Sequence, residues 1–297
     1  SLVARGADGV PVTFQASNGE RGGWHGIVFY PGTRPSTNLS FAVVRDGGAA
    51  SGNIYGGCVT VRGADTGPVS IVSSLIAHCE QSALSAIHAG HPFLALAGNT
   101  LADSPAGLHF HPQVVGDLTV GLGYQDVPYN LLNSGVVTSD ATWIEQGVPW
   151  RASGTIEVEG ATLTLAEGVA IQFTRTRPNA GRIEVGVDAA GRLVTQGTSE
   201  NPVRLSSAED APQAGDWGGI SVGQNVQVDT SVVGIDFRHA GAGGRGVIRL
   251  SRTGSNVTIQ APKFTSTETP DISWDCLSDP VLLDIPVDAT LDAPECG

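Results

Sequence analysis

The chain lacks most of what common function classes require. No apolar run approaches the roughly 18 to 20 residues that span a bilayer, so no transmembrane segment is expected. Only 15% of residues are charged and lysine occurs once, at Lys263. No heptad or 3.6-residue spacing is sustained, and Gly or Pro interrupts most windows of helical length, which excludes a helical bundle. Basic residues are also scarce: 29 acidic against 16 basic residues leave a formal net charge of -13. A surface of that sign repels nucleic acid and anionic lipid, and it repels polyanionic sugars unless a cation such as calcium bridges them. None of the four cysteines forms a CxxC, which argues against a zinc ribbon. There is no Asp-Asp doublet and no Gly-His-Gly, so no catalytic residues can be named. Neither the paired carboxylates of a glycoside hydrolase nor the base and calcium ligands of a lyase form a recognisable motif.

What is present is glycine, 40 residues of it, with 17 prolines spread along the chain and Val, Ile and Leu recurring throughout. That composition suits many short strands joined by tight turns, where glycine supplies positive φ angles. The organising feature is an internal duplication. Residues 192–220 repeat the order of residues 1–27: Leu2, Gly6, Pro11 and Val12 match Leu193, Gly197, Pro202 and Val203. Trp24, Gly26 and Ile27 then match Trp217, Gly219 and Ile220. The correspondence continues from Thr37, Leu39, Arg45 and Gly48 to Thr230, Val232, Arg238 and Gly241. Strand-like elements recur roughly every 20 to 25 residues, the period of a three-sided coil rather than of a hexapeptide repeat.

The clearest coil lies in residues 148–173, where Ile156/Val158, Leu163/Leu165 and Val169/Ile171/Phe173 alternate with polar residues and are separated by Glu159-Gly160 and Glu167-Gly168. The segment SGTIEVEGATLTLAEGVAIQF resembles the G-x-L-x-V-x-x-G-A-T-L-T-I-x-P-G-V signature of bacterial secreted and cell-surface right-handed parallel β-helix proteins of pectin-lyase-like architecture, departing from it at Ala166-Glu167. The following QGTSENPVRLSS and GDWGGI are similar to that group's G-T-x-x-x-P-V-x-F-x-S and W-x-G-I segments. The resemblance implies an all-β, right-handed parallel β-helix. It leaves activity open, because this architecture hosts lyases, hydrolases, adhesins and proteins without chemistry. The expected organisation is a first set of coils over residues 1–125, an irregular connection at 126–147, a second set at 148–269 and an acidic capping tail at 270–297. Residues 82–88 are expected to form at most one helical turn, and Asn99 is expected to hydrogen-bond the backbone of a neighbouring coil.

Four groups of side chains are candidates for function. Cys58 with Cys79, and Cys276 with Cys296, are each about 20 residues apart and even in number, which suits two local disulfides, the second closing the C-terminal cap, and an exported protein. Five of the seven histidines fall between residues 78 and 111. His88 and His109, and His91 and His111, are spaced close to one coil. Stacking would assemble a metal or acid/base patch, imidazole being a good ligand for zinc or copper, or a ladder of polar surface residues. Calcium or zinc is the expected cofactor if there is one. Trp24 and Trp217 recur at one repeat position and are either a glycan-binding platform or a structural wedge. Glu209, Asp210 and Asp216 would form a cation site or a solvated acidic loop.

Three functions follow. The first is a non-enzymatic exported or cell-surface protein of a bacterium, structural, adhesive or glycan-contacting, whose partners are extracellular glycan or other surface proteins. The second is a carbohydrate-active enzyme, lyase or hydrolase, for which an outward cleft lined by acidic pairs would speak. The third is a metal-binding protein using residues 78–111. The opening in mid-repeat is expected of a processed or excised fragment lacking its signal or anchor.

Overall fold

In a computed structural model, residues 1–49, 56–63, 67–88, 90–175, 180–244, 246–253 and 256–294 are described. Among them strands are two to five residues long, because a corner or a loop interrupts every alternating run. The first three strands, Val3–Arg5, Val12–Phe14 and Ile27–Phe29, are three sides of one coil. The chain then returns to its start: Asn38–Ser40 pairs in parallel with Val3–Arg5, and Leu39 lies beside Ala4. A parallel pair needs a long crossover, and here the rest of the coil supplies it.

The chain forms two compact units, Ser1–Asn133 with Gln146–Pro149, and Ser134–Glu145 with Trp150–Gly297. In the N-terminal unit the first side stacks Val3–Arg5, Asn38–Ser40, Val69–Val72 and Phe93–Ala97. The second stacks Val12–Phe14, Ala42–Arg45, Leu75–Ala77, Thr100–Ala102 and Gly123–Gln125. The third stacks Ile27–Phe29, Gly57–Val61, Ser82–Ala86, Ala106–Phe110 and Asn130–Leu132. The C-terminal unit repeats the plan. Its sheet of Gly135–Val137, Ile156–Val158, Ile183–Val185, Ile220–Val222, Ile248–Leu250, Ile272–Trp274 and Leu291–Asp292 is the counterpart of the third side.

Registered pairing places like residues on like. Ile156, Ile183, Ile220, Ile248 and Ile272 stack in one interior column, each with no exposed surface. Full burial of such a side chain contributes about 1.5–3 kcal/mol relative to exposure. On the neighbouring side an aromatic stack runs Phe173, Trp217, Phe237 and Phe264, with successive ring centroids 4.5, 6.3 and 5.5 Å apart.

The duplication is structural in detail. The Trp24 indole Nε1 donates to the Arg45 carbonyl at 2.8 Å, and Trp217 Nε1 donates to the Arg238 carbonyl at 2.8 Å. A side chain at Gly6 would overlap the Phe41 carbonyl oxygen, and one at Gly197 the Gly234 carbonyl oxygen, so the close approach of two coils fixes glycine in both copies. Phe41 and Gly234 are both left-handed at φ 47° and 62°. Asn99 is buried and binds the Ile71 carbonyl and the Ser74 amide, bridging to the preceding coil as expected.

Three expectations need correction. Residues 82–88 contain a strand, Ser82–Ala86, and the short helix is Pro112–Val115, started by Pro112 and capped by His111. The segment 126–147 is not irregular: Asn130–Leu132, Gly135–Val137 and Ala141–Trp143 are strands, with Trp143 fully buried. The tail contributes Ile272–Trp274, Val281–Leu283 and Leu291–Asp292 to the sheets. The expected Cys58–Cys79 disulfide is present, with Cα atoms 5.6 Å apart; it lies in the N-terminal unit and so closes no C-terminal cap. The second expected pair involves Cys296, which lies outside the described residues.

Candidate functional site: the outer face of a seven-stranded sheet

In the third side of the C-terminal unit, the strands Ile156–Val158, Ile183–Val185, Ile220–Val222 and Ile248–Leu250 bury their flanking residues, so the middle residue of each faces outward. Register aligns Val136, Glu157, Glu184, Ser221, Arg249, Ser273 and Asp292 as one column across seven strands. Strand spacing sets a step of about 4.8 Å along it. Like charges directly opposite one another oppose pairing, yet Glu157 lies beside Glu184. Arg182 Nε donates to Glu184 Oε1 at 2.6 Å. Burial raises the Glu157 pKa above the ordinary carboxylate value, and the negative charges of Glu184, Glu159 and Asp188 raise it further, with Arg182 opposing. Glu159 is itself held by the Asp188 and Ala189 amides.

Farther along the column a groove of about 520 Å³ opens, lined by Arg249, Ser251, Ser273, Trp274, Asp275 and Asp292. Its volume falls in the range of small-ligand sites. Trp274 pairs with the buried Leu250, but the final strand covers only Ile272 and Ser273, so the indole stays half-exposed. Asp275 is built in: its carboxylate accepts from the Arg252 and Leu277 amides and the Ser278 hydroxyl. Burial raises the Asp275 pKa, and those hydrogen bonds outweigh it, leaving the group below the ordinary range. Arg249 and Asp292 have no ion-pair partner among the described residues.

The densest ionisable cluster lies in the N-terminal unit. Asp46, His78 and Asp103 occupy the same corner of successive coils, all left-handed at φ 64°, 54° and 41°. The buried Asp46 carboxylate bonds His78 Nδ1 at 2.8 Å and Arg45 Nε at 3.0 Å. His78 Nε2 lies 4.0 Å from Asp103, which Arg21 clamps while also donating to the Cys79 carbonyl. These groups partner one another across three coils beside the disulfide, and they read as a corner staple.

Register does not stack the histidines in the expected pairs. Register places Ser85, not His88, beside His109. His109 bonds Asn133 at 2.8 Å and His91 bonds Asp117 at 2.7 Å, while His111 Nδ1 accepts from the Gln113 amide. Burial lowers the pKa of His109 and of His111, the latter lowered further by nearby His88. Among the described residues no group of three or more His, Cys, Asp or Glu is placed to hold a metal. The two tryptophans do not form one exposed platform: Trp217 has no exposed surface and stacks on Phe173, while Trp24 is half-buried with its nitrogen on the Arg45 carbonyl. Asp216 is likewise buried, bonded to Ser207 and the Gln213 amide and 3.5 Å from Arg175, and Glu209 accepts from the Arg175 amide. Sequence reasoning missed Trp274 and the Glu157–Glu184 pair. The alternation of IEV in both strands was visible, but their register was not.

Residues 135–239 match the family model described as a pectate-lyase-like beta helix domain, and this stretch holds the Glu157–Glu184 part of the column. Comparisons with curated proteins and with solved structures found no match. Among the described residues no helix is long and apolar enough to cross a membrane.

Proposed function

We propose that the chain is an exported or cell-surface β-helix protein, non-enzymatic, that contacts extracellular glycan through a groove at the C-terminal end of its seven-stranded sheet. The observation that carries this reading is the groove at Arg249, Ser273, Trp274 and Asp292. It combines a half-exposed aromatic ring with hydrogen-bond donors and acceptors, the combination that orients a hydroxyl-rich ligand. The buried Cys58–Cys79 bridge supports an oxidising compartment. We read the winding as right-handed, the hand that parallel crossovers take in nearly all sheets. Calorimetric titration with a panel of oligosaccharides tests the reading. Saturable binding that weakens at least about tenfold in Trp274→Ala and in Arg249→Ala is expected, about 1.4 kcal/mol or more. Binding unchanged in both variants would move the contact elsewhere.

A second reading, a carbohydrate-active enzyme, is favoured by the Glu157–Glu184 pair. Glycoside hydrolysis needs one carboxyl held protonated as acid and a second as base or nucleophile. Glu157, pushed upward, fits the acid, and Glu184, paired with Arg182, the partner. Release of reducing ends that disappears in Glu157→Gln, with binding retained, is the result this reading requires.

A further inference from the structure

We propose that the groove takes a neutral glycan, one without carboxylate or sulfate groups, lying across the strands; this deepens the glycan-contacting reading and rests on it. The argument is one of charge placement. Within the groove Arg249 is the cation, set against Asp275 and Asp292. Asp275 is held ionised by its amide and hydroxyl donors. Beyond Arg249 and Ser221 the same column carries Glu184 and Glu157, and the cation beside them, Arg182, is committed to Glu184 at 2.6 Å. Burial, and then the neighbouring carboxylates, already raise the Glu157 pKa there.

A polyanionic chain following this column would set a negative charge against each of those carboxylates and find one guanidinium to pair with. A polycationic chain would meet Arg249 between the acidic ends. A neutral chain meets neither obstacle. Its hydroxyls donate to Asp292 and accept from Arg249, and an apolar sugar face covers the exposed part of Trp274. Rejection of charged analogues then comes from unpaired or like charges rather than from shape.

The test is calorimetric titration of the intact chain with cellohexaose, xylohexaose, hexagalacturonate and a chitosan hexamer, at low and high salt, with and without calcium. A neutral hexamer is expected to bind at least about tenfold more tightly than hexagalacturonate at low salt, a gap that narrows at high salt as screening grows. Replacing the carboxylates in Glu184→Gln/Asp292→Asn is expected to narrow the gap at low salt as well. Equal or tighter binding of hexagalacturonate, with or without calcium, overturns the neutral assignment and leaves the glycan reading standing. So does tightest binding of the chitosan hexamer. Failure of all four to bind defeats the glycan reading itself, and this inference with it. Arg249→Ala and Ser273→Arg alter outward positions, so loss of binding in them with an unchanged melting curve is read at the groove and not as unfolding.

Discussion

The third side of the N-terminal unit and its counterpart in the C-terminal unit begin from the same repeat, Trp24-Gly26-Ile27 and Trp217-Gly219-Ile220, and end as opposites. In the first, Gly57–Val61 and Ser82–Ala86 are buried at every residue, on both faces. In the second, Ile156–Val158, Ile183–Val185 and Ile220–Val222 bury only their flanking residues. The sequences carry the cause. GCVTV and SALSA carry small and uncharged residues on both faces, which can be buried, whereas IEV places a carboxylate outward that must meet water. A single coil plan thus yields one sealed side and one side open to solvent.

The copies also differ in what locks their corners. Gly26 lies against the Cys58 carbonyl, and Gly219 against the Val247 carbonyl, so Val247 stands where the disulfide begins. Glu80 packs at Gly22 and donates its amide to Gly47, as Glu268 does at Gly215 and to Ala240, which places Thr267 opposite Cys79. His239 and Ser266 occupy the left-handed corners held in the first copy by Asp46 and His78. The second copy instead relies on the stack of Phe173, Trp217, Phe237 and Phe264. At this one corner, a disulfide and an ionic cluster in the first copy correspond to aromatic packing in the second.

The sharpest way to break this comparison is at the tryptophans. Trp217→Ala removes a ring with no exposed surface from the middle of the stack and is expected to cost about 3–5 kcal/mol. Trp24→Ala, at a half-buried position, is expected to cost well under half of that. Denaturant unfolding of the two variants checks the pair. Equal losses would mean that the indole nitrogen bond common to both, and not the stack, sets the value of this position.

Next comes the disulfide. Cys58→Ser/Cys79→Ser opens a bridge with a sequence separation of 21, and about 2–4 kcal/mol of stabilisation is expected to be lost. Hydrogen exchange locates the effect: amides of 57–61 and 82–86 should lose protection, and those of Ile220–Val222 should keep it. Loss of protection in both units to the same degree would contradict separate locking.

Asp46→Asn is a smaller cut at the same corner, expected to cost about 1–3 kcal/mol by weakening charge-assisted bonds to His78 and Arg45. Burial raises the Asp46 pKa, but the bonds from His78 and Arg45 and the Arg45 charge outweigh it and hold it below the ordinary value. The unfolded chain therefore binds the proton more readily, so this stabilisation is present above the ordinary Asp pKa and is lost as pH falls through the lower folded value. The variant's unfolding curve should be flatter than wild type in that acid window, and a parallel curve would detach Asp46 from it.

How much of this was legible in the sequence depends on whether a feature is local. The duplication, the three alternating runs at 156–173 and the Cys58–Cys79 pair concern residues near one another or an order repeated outright, and the structure keeps them. Column membership is different, because each loop changes the spacing between stacked residues. Val3 stacks on Asn38, whereas Gly135 stacks on Ile156. A constant period therefore placed His88 over His109, while the chain places Ser85 there. For the same reason Glu157 and Glu184 gave no sign of being neighbours: only the pairing of Ile156 with Ile183 brings them side by side. Trp274 owes its exposure to the two-residue strand beyond it, which no local pattern announces.

The smallest effect tests the open side alone. Glu157 sits above the ordinary carboxylate value through burial first and then through Glu184, Glu159 and Asp188. The folded state therefore holds this proton more tightly than the unfolded chain, and stability falls as pH rises from the ordinary Glu value through the raised one. Glu184→Gln removes one of the raising charges and also releases Arg182, which is then placed to lower Glu157 further. Both changes act in one direction, so the Glu157 titration followed by carbon NMR should move down. Glu157→Gln should make the chain slightly more stable at neutral pH, by a few tenths of a kcal/mol, the size of a like-charge contact in a sheet. The sealed side offers no counterpart to this experiment, since Ser85 and Thr60 occupy the equivalent outward column. An unmoved Glu157 titration in Glu184→Gln would mean that the two carboxylates do not sense each other across the strands, and the acid-pair reading of the open face would lose its basis.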